Sequence, residues 1–524
     1  MKIRVPPANV AELLTTSAQR DGDGIALVDG ERAVTWRSLE ANVDDLARGL
    51  SGLGLVAGNR VGIVLPNGVE MVTTYLAALR AGLVAVPVNP QYAPGEVERV
   101  LADAGARVCV TDDAGAPTVR ATLASLATRP TGERQVGVPT IVVSGQTAQG
   151  ELAYADLPRS GRPVLSPQDP ESLAVLLYPS GTSGRPRAAM LSHRALLANV
   201  EQCSQTVPPP MRGDDVVLGV LPLFHVYGLN AVLGQVLMQG ATLVLGRRFD
   251  PAEALSLIEA SGVTLVPIAP PVIVAWSARA AEVAAKLTTV RTLLSGAATL
   301  PAEVVRAFEE RTGVAVEQGY GLTEAAPVVT STIGTPVHKP GSCGRALPGI
   351  ELRIVNNAGE DVEAGDPGEV WVRGDNLFSG YWPDGEGAPG EGGWLQTGDI
   401  GFLDPDGDLF MVDRLKELVI VSGFNVYPSE IEDVISEVDG VRECAVIGLP
   451  DEASGQVVVA YVVPSSAEST DLADRVQAHC ATRLARFKQP AAVEVVDRLP
   501  HSASGKVAKG RLRAGQARRQ MGLA

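Results

Sequence analysis

Cysteine is scarce: 524 residues contain five, at positions 109, 203, 343, 444 and 480. Their number is odd and no two form a CxxC pair, so neither a disulfide framework nor a thiolate zinc site is expected. A reducing compartment, the cytoplasm, fits best. Lysine is also rare, with seven in the chain, and the formal charge of -16 argues against binding to nucleic acid, whose phosphate backbone demands clustered Lys and Arg. No repeat or low-complexity tract is present. The N-terminal MKIRVPPANVAELL lacks the apolar run of a signal peptide. The nearest approach to a membrane segment, residues 216–245, is interrupted by Pro222, His225, Asn230, Gln235 and Gln239, and reads as buried core. What remains is an ordinary globular composition in a chain too long for one core, so at least two domains are expected.

Short apolar runs, VGIVLP (61–66), VAVPVN (84–89), RVCVTD (107–112) and TIVVSG (140–145), alternate with Ala- and Leu-rich stretches of helical spacing. This pattern predicts an α/β fold with mostly parallel strands. IELRIVN (350–356) and GEVWVRG (368–374), separated by Asn/Gly/Asp turns, predict a β-rich, more antiparallel subdomain. Residues 404–435 then read as turn, strand, charged joint, strand and amphipathic helix, opening a small α+β domain near Lys416. PDGEGAPGEGG (383–393) reads as a flexible surface loop.

Four stretches carry chemistry. LLYPSGTSGRPRAAMLSH (176–193) places Ser180, Gly181, Thr182, Ser183 and Gly184 in a small, hydroxylated loop followed by Arg187. Exposed N–H groups and hydroxyls suit phosphate, and a strand before with a helix after would add a helix dipole. The pattern GxxxxGK[ST] is absent, however. EQGYGLTEAAPVVT (317–330) sets Tyr320 between glycines, where it could lie against a flat ring, with Thr323 beside Glu324; a carboxylate near phosphates needs a cation, making Glu324 a natural Mg²⁺ ligand. GWLQTGDIGFLDPDGDLFMVDRLKE (393–417) holds Asp399, able to accept from two ribose hydroxyls, and Arg414, able to fork onto phosphate; the alternative is a surface salt bridge across a hairpin. LPHSASGKVAKGRLR (499–513) presents Lys506 on a small-residue loop, otherwise a solvated basic tail.

Taken together with PLFHVYG and LLSGAATL, these stretches resemble, in order and along nearly the whole chain, the adenylate-forming superfamily of acyl-CoA synthetases, aryl-CoA ligases, luciferases and peptide-synthetase adenylation domains. The resemblance implies a layered α/β N-terminal domain with a β-rich subdomain, residues 1–414, and a mobile α+β C-terminal lid, residues 415–524, with the active site between them. It implies an AMP-forming acyl-CoA synthetase that joins a hydrophobic, fatty carboxylic acid to the α-phosphate of ATP, releases pyrophosphate, and passes the acyl group to coenzyme A. Mg²⁺ is the implied cofactor, and a homodimer is compatible. By resemblance, Ser180–Gly184 and Arg187 would hold the β- and γ-phosphates, Thr323 would contact phosphate and Glu324 would bind Mg²⁺. Tyr320 would stack on adenine, whose edge would face Ser295, Gly296 and Ala297. Asp399 and Arg414 would hold the ribose, and Lys506 would bridge carboxylate and α-phosphate oxygens. His225, Gly319 and Gly321 would border the acyl pocket, alternatively with His225 a core residue. Lys416 would be the hinge and Gly423 would keep the coenzyme A channel open.

The chain departs from the family where Pro186-Arg187-Ala188 replaces Pro-Lys-Gly and Thr299 replaces a proline. Arg exchanges a point charge for a fork, and Ala188 would be strained by about 1 kcal/mol in any positive-φ conformation. Three other readings stay open: a fatty acyl-AMP ligase loading a carrier protein, disfavoured by the compact 348–374 stretch; an aryl-CoA ligase; and a non-catalytic homologue. Apolar residues of LFHVYGLN, VPIAPPVIVAW, SGAA and AAPVVT are expected to line the acyl pocket.

Overall fold

The computed structural model describes the chain apart from residues 1–6, 129–137, 158–165, 167, 179–186, 248–249, 278, 297–299, 301, 357, 415–416, 418, 422–423, 452–454, 467–470, 485, 502–505 and 521–524, and describes Asp413 and Arg414, among others, by backbone alone. Its residues form two compact units. One takes the described residues up to Glu351 together with Arg373–Leu395, and the other takes Leu352–Val372 and the described residues from Gln396.

The first unit is built on two seven-stranded sheets. One runs in the order Leu152–Ala153, Thr140–Ser144, Ala106–Asp112, Arg60–Val64, Val84–Pro87, Leu173–Leu177, Ala189–Ser192, and the apolar runs read from sequence are its central strands. These are parallel except for the last pair, where Leu173–Leu177 and Ala189–Ser192 are antiparallel. The helix expected directly after the Gly/Ser loop is therefore displaced. Ala189–Ser192 pairs as a strand first, and the helix His193–Ser204 starts only where Ser192 Oγ accepts from Ala195 N at 3.2 Å. No helix dipole follows the loop directly, because AML satisfies its backbone on a neighbouring strand rather than on itself.

The other sheet runs Ala315–Gln318, Thr292–Ser295, Leu265–Ile268, Val216–Gly219, Thr242–Leu245, Ile25–Asp29, Arg32–Thr35, parallel but for the closing hairpin. Residues 216–245 are its buried interior: a strand, a π-helical stretch Tyr227–Gly234, a short helix Gln235–Gln239 and a strand. No helix among the described residues is long and apolar enough to cross a membrane.

The second unit holds a four-stranded sheet, in order Glu351–Val355, Gly368–Arg373, Leu395–Leu403, Leu409–Arg414, and a sheet ordered Phe424–Val426, Val419–Val421, Gly455–Pro464, Val441–Asp451 with Ala492–Val495 beside Gly455–Pro464. The helices Pro428–Ser436 and Leu472–Arg483 share a core with the latter through Ile431, Ile435, Val476 and Cys480. The mixed α/β character, with a β-rich part and an α+β end, follows the sequence pattern. PDGEGAPGEGG is a string of hydrogen-bonded turns rather than a free loop: Gly385 N donates to Tyr381 O at 2.8 Å, Ala388 N to Gly385 O at 3.1 Å and Gly393 N to Gly390 O at 3.0 Å.

Candidate active site

At the carboxyl ends of three adjacent parallel strands of the first unit, Ile268, Ser295 and Gln318 lie in register. The chain leaves these strands into Gly296 and into Gly319-Tyr320, so two stretches 23 residues apart in sequence emerge side by side. Ser295 is 4% exposed, and its hydroxyl has no hydrogen-bond partner among the described residues. An orphaned buried hydroxyl at a strand end fits a ligand edge, since leaving it unmade costs roughly 1–3 kcal/mol. The Tyr227 ring rests on Gly296, where a Cβ would meet Cε1 at 3.0 Å, and its hydroxyl donates to Leu294 O at 2.8 Å. Tyr227 N in turn donates to His225 Nδ1 at 3.2 Å, which fixes the half-buried imidazole at the mouth of the π-helical stretch. Such stretches recur at functional sites.

Tyr320 is buried, and the backbone around it folds back on itself: Tyr320 N donates to Thr330 Oγ1 at 3.2 Å and Tyr320 O accepts from Val329 N at 2.9 Å. A Cβ on Gly319 would lie 2.6 Å from Thr330 O, and one on Gly321 would lie 2.3 Å from Pro327 O. Close backbone approach thus accounts for both glycines. Thr323–Ala325 form a single 3₁₀ turn that presents the half-buried Glu324. Ala326 follows at φ 62°, the sole non-glycine residue with positive φ among those described. That conformation costs about 1–2 kcal/mol and persists where its surroundings over-determine it.

Three buried asparagines do so. Asn230 Nδ2 donates to Ala326 O at 2.7 Å, Asn376 Nδ2 to Ala325 O at 2.7 Å, and Asn199 brackets Val328 with bonds of 2.7 and 3.0 Å. Sequence reading gave no role to Asn199, Asn376 or Tyr381; Tyr227 and Asn230 stood only within LFHVYGLN, a stretch expected at the acyl pocket, Asn230 also as an interruption of an apolar run.

The segment after Asn376 sews this turn to the strand Ala189–Ser192. Phe378 N donates to Glu324 O at 2.9 Å, Ser379 N to Met190 O at 2.9 Å, Met190 N to Gly380 O at 3.0 Å and Trp382 N to Ala188 O at 2.8 Å. Tyr381 then donates its hydroxyl to Glu324 Oε1. Arg187, expected at phosphate, pairs with Glu386 at 2.5 Å, and its guanidinium lies over the Tyr381 ring, 4.7 Å from the centroid. Ala188 is fully buried and, unlike Ala326, not at positive φ, so the strain expected from replacing glycine does not arise.

One further expectation changes. Ile273 and Trp276 are fully buried and Val272 nearly so, packed with Leu255, Ile258 and Phe308, and the Trp276 indole donates to Pro251 O at 3.1 Å. They fill the core instead of lining a pocket. Ser180, Gly181, Thr182, Ser183, Gly184, Ala297, Lys416 and Gly423 lie outside the described residues, as does the Arg414 side chain.

In the second unit, Asp399 and Arg414 are directly opposite in the antiparallel pair Leu395–Leu403 and Leu409–Arg414. Asp399 is 6% exposed and its N–H donates to Thr397 Oγ1 at 3.1 Å, so it is no surface charge. Lys506 is exposed, between a bridge pairing His501 with Val507 and a bond from Ala508 N to Pro500 O at 2.7 Å. Three residues on, Lys509 Nζ reaches Glu417 at 3.0 Å and Glu432 at 2.9 Å. Burial alone would lower the Lys509 pKa, but the two carboxylates outweigh it and hold the pKa above its ordinary value.

Polar and aromatic groups converge at the carboxyl ends of parallel strands, the edge at which open α/β sheets as a class take their ligands. Residues 14–382 match the AMP-binding enzyme family and residues 430–506 match the AMP-binding enzyme C-terminal domain, and the chain belongs to that family. It is 36% identical to 4-coumarate–CoA ligase 5 of Oryza sativa subsp. japonica over 94% of this chain and 92% of that one. With the long-chain-fatty-acid–CoA ligase of Bacillus subtilis (strain 168) it shares 32% identity over 98% and 95%. Among solved structures, ATP-bound MatB from Rhodopseudomonas palustris superposes with a TM-score of 0.87 at 30% identity, covering 97% of this chain and 98% of that one.

Proposed function

We propose that this protein activates a hydrophobic carboxylic acid with ATP and transfers the acyl group to coenzyme A. Membership of the AMP-binding enzyme family, shared with ligases named for acyl and aryl acids, makes it an AMP-forming acid–CoA ligase. The choice of acid and the roles of residues are the proposal. In the first step a carboxylate oxygen attacks the α-phosphorus and the bond to the β-phosphate oxygen breaks, releasing pyrophosphate. In the second, the thiol sulfur attacks the acyl carbon and AMP leaves. Such transfers ask mainly for positioning and charge neutralisation.

The observation that carries the reading is the strand-end cluster of Ser295, Gly296, Tyr320, Thr323 and Glu324, with Arg187 tied to it through Tyr381. Ser295 offers an unused hydroxyl to an adenine edge and Tyr320 an aromatic wall. Glu324 would hold Mg²⁺, with Thr323 beside it contacting phosphate: the carboxylate is half-buried, one oxygen accepts from Tyr381, and hard oxygen donors suit this cation. When bound, Mg²⁺ would offset the charge of the β- and γ-phosphates. Ser180–Gly184 and Arg187 are assigned to those phosphates, Asp399 and Arg414 to the ribose, and Lys506 to the carboxylate and α-phosphate oxygens. His225, Gly319 and Gly321 are assigned to the acyl pocket. The functional division is placed at 414/415, with Lys416 as hinge and Gly423 at the coenzyme A channel. The protein is assigned to the cytoplasm.

The two relatives are named for an aryl acid and a long-chain acid, both apolar bodies on a carboxylate, and the acid screen takes these as its two arms. The protein is incubated with ATP, Mg²⁺, coenzyme A and acetate, hexanoate, palmitate, 4-coumarate or an amino acid. Equimolar AMP, pyrophosphate and acyl-CoA are expected with a long-chain or aryl acid. ADP as product, an adenylate that never reaches coenzyme A, or preference for acetate or the amino acid would refute the proposal.

A further inference from the structure

Glu324 and Arg187 are 137 residues apart, and one side chain touches both. Tyr381 donates its hydroxyl to Glu324 Oε1 and carries the Arg187 guanidinium over its ring. The ring is clamped. Phe378, 2% exposed, meets it edge-on with centroids 5.1 Å apart at 80°, and the Gly387 backbone lies so close that a Cβ there would stand 3.1 Å from Cδ2 and Cε2. Its backbone is equally fixed, with Tyr381 N donating to Glu386 O at 2.8 Å and the residue bridged to Ala189. The same short loop supplies Glu386, whose carboxylate pairs with Arg187 Nη2.

Resting on the reading above, we propose that Tyr381 is a positioning residue for the metal–phosphate end of the site. Its hydroxyl selects the rotamer of Glu324, and its ring sets the height of Arg187. A carboxylate offers about four acceptor positions, so a single donated bond leaves the second oxygen free for a cation while removing rotational freedom that binding would otherwise have to quench. The phenol is the donor, since a carboxylate oxygen can only accept and a tyrosine hydroxyl keeps its proton at neutral pH. Glu386 holds Arg187 in place until a phosphate competes for the guanidinium. The cation ligand and the phosphate arginine are thus aligned by one aromatic.

Tyr381→Phe keeps the ring and deletes only the donor. Binding of Mn²⁺ to the full chain is measured by the enhancement of water-proton relaxation over a protein-free solution of Mn²⁺ and α,β-methylene-ATP, whose α–β link cannot be cleaved. Y381F is expected to weaken Mn²⁺ binding about 5- to 30-fold. In pyrophosphate exchange, the Mg²⁺ concentration for half-maximal rate should rise similarly while the rate at saturating Mg²⁺ recovers. Thioester formation from supplied acyl-adenylate should not change. Tyr381→Leu, which also removes the seat of Arg187, should in addition raise the KM for ATP at saturating Mg²⁺. Wild-type Mn²⁺ affinity in Y381F would overturn the proposal, and so would tighter binding, which would mean that the hydroxyl competes with the cation. If the wild-type chain exchanges no pyrophosphate with any acid yet Y381F still weakens Mn²⁺ binding, the ligase reading fails and the positioning role stands. If the wild-type chain holds no Mn²⁺ with the nucleotide, both fail.

Discussion

Among the five histidines, His193 is the one enclosed in the first unit's core, 1% exposed at the start of the helix His193–Ser204. Its Nδ1 accepts from Val10 N at 3.2 Å and its Nε2 lies 3.2 Å from Asn9 Nδ2. Protonating Nδ1 would break the first bond and bury a cation. Burial therefore pulls its pKa from 6.5 down to about 4, against a weaker upward pull from Asp169. A histidine whose folded pKa is depressed contributes stability fully present above the unfolded value of 6.5 and lost as pH falls towards 4. The whole contribution is about 3 kcal/mol, at roughly 1.4 kcal/mol for each pH unit between the two values. His193→Gln retains an acceptor but cannot titrate. The gap in unfolding temperature between wild type and H193Q should be widest near pH 7.5 and shrink steadily towards pH 4.5. A gap independent of pH would show that another group titrates.

At the scale of elements, the helix Lys509–Gln520 begins with a cation, against its own dipole, which favours negative charge at that end. Glu417 and Glu432 make this tolerable, and Glu432 also accepts from Val446 N at 2.6 Å, so Lys509 joins the helix Pro428–Ser436, the strand Val441–Asp451 and the turn at Glu417. Lys509→Met would strand two partly buried carboxylates. Allowing for their exposure, the cost should be about 2 kcal/mol or more in chemical denaturation of the full chain, with K509M/E417Q/E432Q regaining most of it. A change in K509M within about 0.5 kcal/mol would mark the triad as energetically idle. Lys509 was not legible as a structural residue in the sequence, where it stood only as part of a basic loop. Its partners lie 77 and 92 residues away, and spacing along a chain reports only local neighbours. Tyr381, 57 residues from Glu324, escaped for the same reason. Ala189–Ser192 read as helix because small and unbranched residues favour one, and only pairing with Leu173–Leu177 makes it a strand. The parallel strands were legible, because a strand covered on both faces must be apolar throughout. So were Glu324, Asp399 and Lys506 as candidates, since each is a lone charge set among small or hydroxylated residues in its stretch of sequence.

For the whole molecule, each unit owns a separate core, Leu218 to Val316 and Val64 to Ala188 in the first, Val419 to Leu484 in the second, so a change in one can spare the packing of the other. The assigned chemistry divides likewise. Lys506 is assigned to oxygens of the carboxylate and the α-phosphate, which meet only while the adenylate forms. Once the acyl–phosphate bond exists, the thiol step makes AMP the leaving group and no longer needs that bridge. Lys506→Ala should therefore cut pyrophosphate exchange on the order of 100-fold or more, as loss of a preorganised donor does. It should leave thioester formation from supplied acyl-adenylate within a few fold of wild type. Because Lys506 is exposed, the unfolding midpoint should stay within about 0.5 kcal/mol of wild type, which separates a chemical loss from a structural one. Lys416→Pro should give the reverse pattern, since a fixed φ would hinder the backbone change assigned to the hinge. Equal loss of both half-reactions in both variants would show that the two steps do not use these residues separately. Full exchange in K506A would remove Lys506 from the chemistry and leave the basic loop as a solvated tail.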